Sequence, residues 1–346
     1  MARDPDPEPA AALARAALSA LRRRRYDAPR GLYGRRRLNR FVYATLWPHA
    51  NAWAASVAVG ALEPGLLPSP VAAAASLAFY RAGRAERPAG LDSSVVPPLG
   101  RGGTRYYDDN AWIALAALRH AAVTPEPALV RLAGELADFV ASGWAENPAL
   151  ARPGGIFWRE VPEQRGRNTC ANAPAAALFA ALGLLGDVAA GTFAARVYAW
   201  TRDALCTSAG LYADRIDPDG RREETIWSYN QGAMVGAGVL LAELTGEAAY
   251  LNDAVGTAQA ALARYEDVEH LAAEPPAFAA VFFRNLFALG ARRADPRYAA
   301  CARSWIAAVA RTQLSPGGLV GAGDQVNATA AFAEVAALLA GAPPGP

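Results

Sequence analysis

The densest group of side chains suited to acid–base chemistry runs from Tyr106 to Trp112, in the order Tyr-Tyr-Asp-Asp-Asn-Ala-Trp. Its carboxyl groups, on Asp108 and Asp109, are adjacent. Two carboxyl groups about 5–5.5 Å apart are the pair used by a retaining glycosidase, one ionised to attack the sugar and one protonated to donate. The simpler interpretation is a helix start, where Asp108 caps free amides and both charges complement the dipole. The spacing alone leaves both interpretations open.

Other polar and aromatic side chains cluster in short loops along the chain. Flat rings stack on the apolar faces of pyranose rings, and Asn, Gln and Asp bind hydroxyl groups, so this mixture indicates a sugar ligand. The loops are 154–158, which ends in Trp158; 168–172, from Asn168 to Asn172; 210–214, which ends in Asp214; and 227–232, with Trp227, Tyr229, Asn230 and Gln231.

The sequence pattern is helical nearly throughout. Ala- and Leu-rich stretches with apolar residues three and four apart are separated by short Gly, Pro and Asp loops, and no long run alternates β-branched with polar residues. We therefore predict an all-α protein. Its twelve helices are expected at about 10–26, 41–62, 70–84, 108–122, 126–142, 169–185, 189–206, 227–244, 247–264, 277–291, 295–312 and 325–341.

Every second predicted helix carries an asparagine near its start, followed by small residues. The separations of 42 to 62 residues correspond to one helix pair each. These alternate helices are apolar on most faces, as an inner ring requires, whereas the intervening ones keep a polar stripe. Although length alone suggests two domains, the repeat predicts one (α/α)6 barrel, a toroid of six helical hairpins. The repeated residues are Asn51, Asn110, Asn172, Asn230, Asn285 and Asn327.

Charge divides the chain into a basic N-terminal segment with the first outer helix, residues 1–40, and a catalytic barrel, residues 41–346. Up to Arg40 there are 11 Arg against 4 acidic residues, a net charge of +7, and the remainder carries −5. The runs Arg22 to Arg25 and Arg35 to Arg37 have the charge to bind nucleic acid or an anionic surface. Because no nucleic-acid motif or aromatic platform accompanies them, we expect a solvated face and no nucleic-acid partner.

Composition excludes several further classes. The chain has 346 residues, 53% hydrophobic and 19% charged, enough to bury a core, and no apolar stretch reaches the roughly 18 residues of a membrane span. Cys170, Cys206 and Cys301 show no metal-ligand spacing, so we expect packing residues and no metal. The start does not have the pattern of an export signal, which favours a cytoplasmic protein unless an upstream start restores one. The sequence does not indicate an oligomeric state.

Six blocks occur in a recognisable order, namely YYDDNAWIALAAL, GGIFWR, NTCANAPAAALFAAL, GLYADRI, WSYNQGAMVGAGVLL and FAAVFFRNLFAL. In order and approximate spacing, across residues 41–340, they resemble glycoside hydrolase family 76, the endo-α-1,6-mannanases and their relatives. The resemblance implies an (α/α)6 barrel, in agreement with the repeat. It also implies retaining hydrolysis of α-1,6-linked mannan or manno-oligosaccharides, with a carbohydrate partner and no cofactor.

The same resemblance assigns Asp108 as nucleophile and Asp109 as general acid/base. Five of the other positions have a structural alternative: core packing for Trp112, a buried acid partner for Arg284, and capping or inter-helix hydrogen bonds for Asn172, Asn230 and Gln231. The residues expected on or near substrate are Tyr106, Tyr107, Asn110, Asn168, Asn172, Asp214, Tyr229, Asn230, Gln231 and Arg284, with Trp112, Trp158 and Trp227 as stacking platforms.

Two other functions fit a barrel of this kind. A sugar epimerase of the N-acylglucosamine type relies on histidines facing the interior, and the chain has only His49, His120 and His270. A non-catalytic glycan-binding barrel keeps the aromatic and amide residues but does not need two adjacent carboxyl groups.

Ala279 and Ala280 depart from the Lys/Gly-type pair that the family tends to place there.

Overall fold

Helices make up most of the structure. A computed structural model describes residues 8–37, 40–83, 88–161, 166–321 and 323–345. In this part of the chain the α-helices are α1 (Glu8–Arg25), α2 (Leu46–Leu62), α3 (Pro70–Ser76), α4 (Tyr107–Val123), α5 (Pro127–Ala141), α6 (Thr169–Leu184), α7 (Val188–Leu205), α8 (Ser228–Thr245), α9 (Ala248–Arg264), α10 (Val268–Ala273), α11 (Pro276–Gly290), α12 (Pro296–Gln313) and α13 (Gln325–Leu339).

Six of these helices form a closed inner ring. α2 packs on α4, α4 on α6, α6 on α8, α8 on α11, α11 on α13, and α13 returns to α2. The ring helices are apolar on all sides because they are covered on all sides; α6, for example, buries every residue from Thr169 to Leu182. Helices α1, α3, α5, α7, α9 and α12 lie outside them. The predicted all-α fold is confirmed, and the closed ring is the toroid that the repeat predicted.

Two small antiparallel sheets were not predicted. One contains β1 (Tyr26–Asp27), β2 (Leu32–Arg37) and β3 (Arg40–Tyr43), and the other β4 (Arg167–Asn168), β5 (Arg215–Ile216) and β6 (Arg222–Glu223). The helix predicted at 41–62 was therefore wrong at its start. Phe41, Val42 and Tyr43 are aromatic or β-branched and pair with β2, so α2 begins only at Leu46.

Two further helix predictions need correction. The helix predicted at 70–84 ends as an α-helix at Ser76 and continues as one 3₁₀ turn, Leu77–Tyr80, and its last residue lies outside the described part of the chain. The short α10 was missed because a six-residue helix has too few turns to show a period.

The basic N-terminal segment packs on the barrel. Its helix α1 lies against α13 and α2 and buries Ala14, Ala17, Leu18, Ala20 and Leu21. The run Arg22 to Arg25 forms the last turn, where positive charge complements the helix dipole. Residues 1–7, 38 and 39 of this segment lie outside the described residues. In the part of the chain that is described, no helix is long and apolar enough to cross a bilayer.

Candidate active site

Three inner helices hold their incoming loops with the same hydrogen-bond pattern. In each, an amide side chain near the helix start accepts a hydrogen bond from the N–H of one loop residue and donates one to the C=O of that same residue. The amide also donates to the backbone carbonyl of the residue four positions before its own. The distances lie between 2.6 and 3.1 Å. The three pairs of amide and loop residue are Asn110 with Leu91, Asn172 with Ile156, and Gln231 with Tyr212.

This pattern places the residue before each helix at one end of the ring. The carbonyls that the amides bind belong to Tyr106, Asn168 and Trp227, the N-cap residues of α4, α6 and α8. A buried amide that satisfies all its donors and acceptors holds the backbone firmly. All three N-cap side chains consequently line the same cavity.

The 154–158 loop depends on two glycines. Gly154 and Gly155 have φ values of +105° and +78°, and a Cβ there would lie 2.7 Å and 2.4 Å from the ring of Trp200. Only glycine allows this backbone so close to the indole. The loop then continues to Ile156, which Asn172 binds, and to Trp158 at the cavity.

Asp108 and Asp109 lie in the first turn of α4 and face this cavity. One carboxylate oxygen of Asp108, Oδ1, accepts the backbone N–H of Asp109 at 2.9 Å, and Oδ2 accepts the indole N–H of Trp158 at 3.0 Å. The Trp158 ring is held edge-on by Tyr106, with ring centroids 5.0 Å apart. The carboxyl group of Asp109 accepts no hydrogen bond from the described residues.

The two carboxyl groups hold protons with different affinity. Burial raises the pKa of Asp108 to about 6, and hydrogen bonds from Asp109, Trp158 and Cys170 oppose that rise. Burial also raises the pKa of Asp109 well above its ordinary value, and the negative charge of Asp108 raises it further. Asp108 therefore ionises first, and Asp109 keeps its proton while Asp108 is charged.

A buried thiol links Asp108 to the far side of the cavity. Cys170, 4% exposed, donates a hydrogen bond to Asp108 and accepts one from the hydroxyl of Tyr229. Burial raises the pKa of Cys170 well above its usual range, so the group stays a thiol and a donor. The expectation that this cysteine only fills space misses this contact with Asp108.

The cavity has a volume of about 1050 Å³. Nine of the residues predicted for the site line it, and they come from three inner helices, α4, α6 and α8, and the loops before them. They are Tyr106, Asp108, Asp109, Trp112, Trp158, Asn168, Asp214, Trp227 and Tyr229. This volume is that of a site for an extended ligand.

Aromatic rings form one wall. Tyr229 stacks on Phe278 with centroids 4.0 Å apart and an angle of 18° between planes, and Trp227 meets the same Phe278 edge-on at 5.5 Å. Trp47 lies 5.7 Å from Phe278. Rings that support one another in this way offer a rigid apolar face to a sugar ring.

Trp47 and Phe278 line the cavity and were not predicted from the sequence. A signal for Trp47 was present, since it stands four residues before Asn51, as Tyr106 stands four before Asn110. Phe278 has no such signal, because it enters the wall only through its stacking on a residue of another helix. Arg159, Asp217 and Thr45 line the cavity and were likewise not predicted.

Five other predicted residues lie behind the cavity wall. Asn110, Asn172 and Gln231 are fully buried and hold loops, as described above. Asn230 reaches Oδ1 of Asp214 with its Nδ2 at 3.5 Å, so it contacts a lining residue. Tyr107 is 4% exposed and stacks on Phe139 at 4.9 Å.

Arg284 lies deeper in the ring. It forms a buried ion pair with Glu334 through Nε at 2.7 Å and Nη2 at 2.8 Å, and Arg119 binds the same carboxylate. It is thus the partner of a buried acid and does not line the cavity.

The epimerase alternative relies on histidines that face the interior of the barrel. None of the chain's three histidines lines the cavity. His49 and His120 are buried, with Nε2 of His49 bonded to Ser76 and Nδ1 of His120 accepting from Trp53, and His270 lies exposed on α10. In the described residues no three His, Cys, Asp or Glu side chains come together as metal ligands.

Comparison with known proteins assigns the family. The model of glycosyl hydrolase family 76 matches residues 83–313. The chain belongs to this family. As a family 76 protein it is a glycoside hydrolase. No curated protein sequence matches the chain.

Solved family 76 structures share the fold over nearly the whole chain. An α-mannanase of Bacteroides thetaiotaomicron has a TM-score of 0.82 at 17% identity, covering 95% of this chain and 94% of that one. A mannosidase from the same species, strain VPI-5482, has a TM-score of 0.81 at 21% identity, covering 96% and 98%. An inactive α-1,6-mannanase variant of Salegentibacter sp. HEL1_6, with two consecutive aspartates changed to asparagine and α-1,6-mannotriose bound, has 0.74 at 19%, covering 96% and 99%.

Proposed function

We propose that this family 76 enzyme hydrolyses α-1,6-linked mannan or manno-oligosaccharides with retention, using Asp108 as nucleophile and Asp109 as general acid/base. The observation that carries the proposal is the adjacent pair in one cavity, with Asp108 the more easily ionised member. It is supported by the Salegentibacter neighbour, which is inactive without two consecutive aspartates and binds α-1,6-mannotriose.

In the first step the ionised carboxylate of Asp108 attacks the anomeric carbon. The glycosidic C–O bond breaks, and the protonated carboxyl group of Asp109 donates its proton to the leaving oxygen. The hydrogen bonds from Asp109 N–H and Trp158 Nε1 orient the carboxylate of Asp108. A covalent glycosyl ester on Asp108 results.

In the second step water attacks the same carbon while Asp109 takes up the water's proton. Esterification has removed the negative charge on Asp108, and that charge is one cause of the raised pKa of Asp109. The pKa of Asp109 therefore falls in the intermediate, which suits a base. Two inversions at one carbon give net retention.

The walls of the cavity suit a chain of sugars. The rings of Trp227 and Tyr229 supply flat apolar faces, and Asn168 and Asp214 supply hydrogen-bonding groups for hydroxyls. The pKa of Asp214 is raised by burial, against a hydrogen bond from Asn230 and the charge of Arg215. We propose these residues as the substrate contacts.

The test is incubation of the purified enzyme with linear α-1,6-mannan and with α-1,2- and α-1,3-linked mannobiose as linkage controls. We expect a ladder of α-1,6-manno-oligosaccharides, with the α-anomer appearing first by proton NMR. A first-formed β-anomer would exclude the two-step mechanism. Absence of cleavage of every α-1,6-mannoside, with the oligosaccharides still bound, would support the glycan-binding alternative.

A further inference from the structure

A second cavity, of about 500 Å³, lies beside the catalytic cavity, and Thr45 lines both. Its walls come from the end of α1, strands β2 and β3, the connection to α2, and the start of α13. The two cavities therefore adjoin at Thr45. The hydroxyl of Thr45 makes no capping hydrogen bond to α2.

Two arginines give the second cavity its charge. Arg25, half-buried at the end of α1, donates to the neutral amide of Gln325, and Arg35 projects from β2 with its side chain exposed. Neither guanidinium lies within ion-pair distance of a carboxylate of the described residues, and the charge of Arg35 acts on Asp324 from further away. Burial lowers the pKa of Arg25, and the positive charges of Arg24 and Arg35 lower it further. The arginines thus repel one another at this place.

Among the described residues, Asp324 is the acidic one that lines this cavity. Its Oδ1 accepts the backbone N–H of Asn327 at 3.2 Å and caps α13, so it offsets only one of the two charges. The catalytic cavity is different, because five aspartates and three arginines of the described residues line it. Of these two cavities, only the second has an excess of positive charge among its described residues.

We propose that the second cavity binds a phosphate group carried by the glycan, so that the substrate is a phosphorylated manno-oligosaccharide. The proposal rests on the proposed function, since it places the phosphate on the chain that Asp108 and Asp109 cleave. Guanidinium groups bind phosphate oxygens with charge-assisted hydrogen bonds, and Arg25 and Arg35 supply them. A terminal phosphate monoester and a phosphodiester to a lipid headgroup present the same chemistry.

The experiment compares the cleavage of α-1,6-mannotetraose with that of the tetraose carrying a phosphate monoester at either end, or a phosphodiester to glycerol. Because an exposed ion pair contributes up to about fivefold in affinity, two arginines are expected to lower KM about tenfold for a phosphorylated form. The gain should shrink as salt screens the charges. A gain for the diester alone would identify a headgroup as the source.

Arg35→Gln and Arg25→Gln should each remove most of this gain and leave the KM of neutral tetraose unchanged. Arg303→Gln is the matched control, since Arg303 is exposed on α12 and lines neither cavity. Equal KM values for all forms with the wild type, or a gain that survives both substitutions, would refute the phosphate site.

A binding measurement separates this proposal from the proposed function. Calorimetric titration of the full chain with neutral and phosphorylated tetraose does not require cleavage. If no α-mannoside is cleaved but the phosphorylated form binds more tightly, and Arg35→Gln removes the difference, the proposed hydrolysis fails and the phosphate site stands.

Discussion

Helix α4 carries ionisable groups in two different environments. In its first turn, Asp108 and Asp109 face the cavity, neither has an ion-pair partner among the described residues, and burial raises both pKa values. Three turns later, Arg119 joins Arg284 on the buried carboxylate of Glu334. Burial alone would raise the pKa of Glu334, but the two arginines lower it to about 2.

The two sites differ in the positively charged side chains beside the acid: Glu334 has two arginines, and the Asp108–Asp109 pair has none among the described residues. With a pKa of about 2, Glu334 is ionised at neutral pH and exchanges no proton there. Its ion pairs serve to join α4, α11 and α13. The pair at the cavity has hydrogen-bond donors for one member only, and it holds a proton that it can give up. A buried acid with cations holds the barrel together, and a buried acid pair without them can do chemistry.

The largest expected effect is that of Asp108→Asn. Loss of the nucleophile should lower kcat by about 10⁴-fold or more on every substrate, while thermal stability stays equal or rises because a desolvated carboxyl group is removed. The measurement is the rate of reducing-end release together with the affinity for α-1,6-mannotriose. Retained turnover would assign the attack to another group.

Asp109→Asn should be less severe and should depend on the leaving group. General acid catalysis contributes about 10²- to 10⁴-fold, so hydrolysis of α-1,6-mannan is expected to fall by that factor. An aryl α-mannoside with an activated leaving group needs no proton in the first step and should form its glycosyl-enzyme at a nearly normal rate. Equal losses on both substrates would contradict the assignment.

Glu334→Gln tests the other half of the comparison. It leaves Arg119 and Arg284 without a carboxylate, so the free energy of unfolding should fall by about 3–5 kcal/mol. Denaturant titration measures it, with Glu247→Gln, at an exposed position, as the control. If both variants are equally stable, the buried ion pairs do not hold the helices together.

The lowered pKa of Glu334 predicts that the stability of the folded protein depends on pH. The pKa of Glu334 is lowered from 4.5 to about 2 in the folded protein. Its contribution to the free energy of unfolding is therefore complete above about pH 4.5 and is lost as pH falls through about 2. That contribution is about 3 kcal/mol. Unfolding followed from pH 5 to pH 2 should show this loss in the wild type and a flatter curve in Glu334→Gln. A parallel curve in the variant would refute the assignment.

Trp158→Phe is expected to have the smallest effect and is the sharpest test of how the pair is tuned. The ring remains, but the indole N–H that lowers the pKa of Asp108 is lost. That pKa, about 6, should rise, and the acid limb of the kcat/KM profile should move to higher pH. Loss of one hydrogen bond to a charged group predicts a fall in kcat of about tenfold or more.

Trp112→Phe is the matched control for that variant. Trp112 lines the same cavity and makes no hydrogen bond to either carboxyl group. Its substitution should leave the acid limb where it is. A shift in both variants would show that the cavity's polarity, and not the Trp158 hydrogen bond, sets the pKa of Asp108.

The toroid was predictable because its repeat is visible in the amino-acid sequence alone. Asn110 and Asn172 recur at the same place on successive inner helices, where a buried amide binds the incoming loop. In α8 the sequence repeat pointed to Asn230, whereas the structure gives that role to Gln231. A longer side chain one position later reaches the same loop, and spacing alone does not distinguish the two.

The site was predictable only in part, because a wall is made by residues distant in sequence. Asp108 and Trp158 each stand in a recognisable motif, but the hydrogen bond between them joins residues 50 apart. Phe278 begins one of the six matched blocks, but that block does not mark it as a wall residue, because it contributes through Tyr229. The strand at Phe41 was missed for the same reason, since its pairing partner determines it.

The hydrogen bonds of Asn110, Asn172 and Gln231 also separate what supports the barrel from what meets the ligand. Each amide binds only backbone atoms of its loop and N-cap residue, so the N-cap side chain is not needed to hold the loop. Evolution can therefore exchange Tyr106, Asn168 or Trp227 one at a time and alter specificity without refolding the barrel.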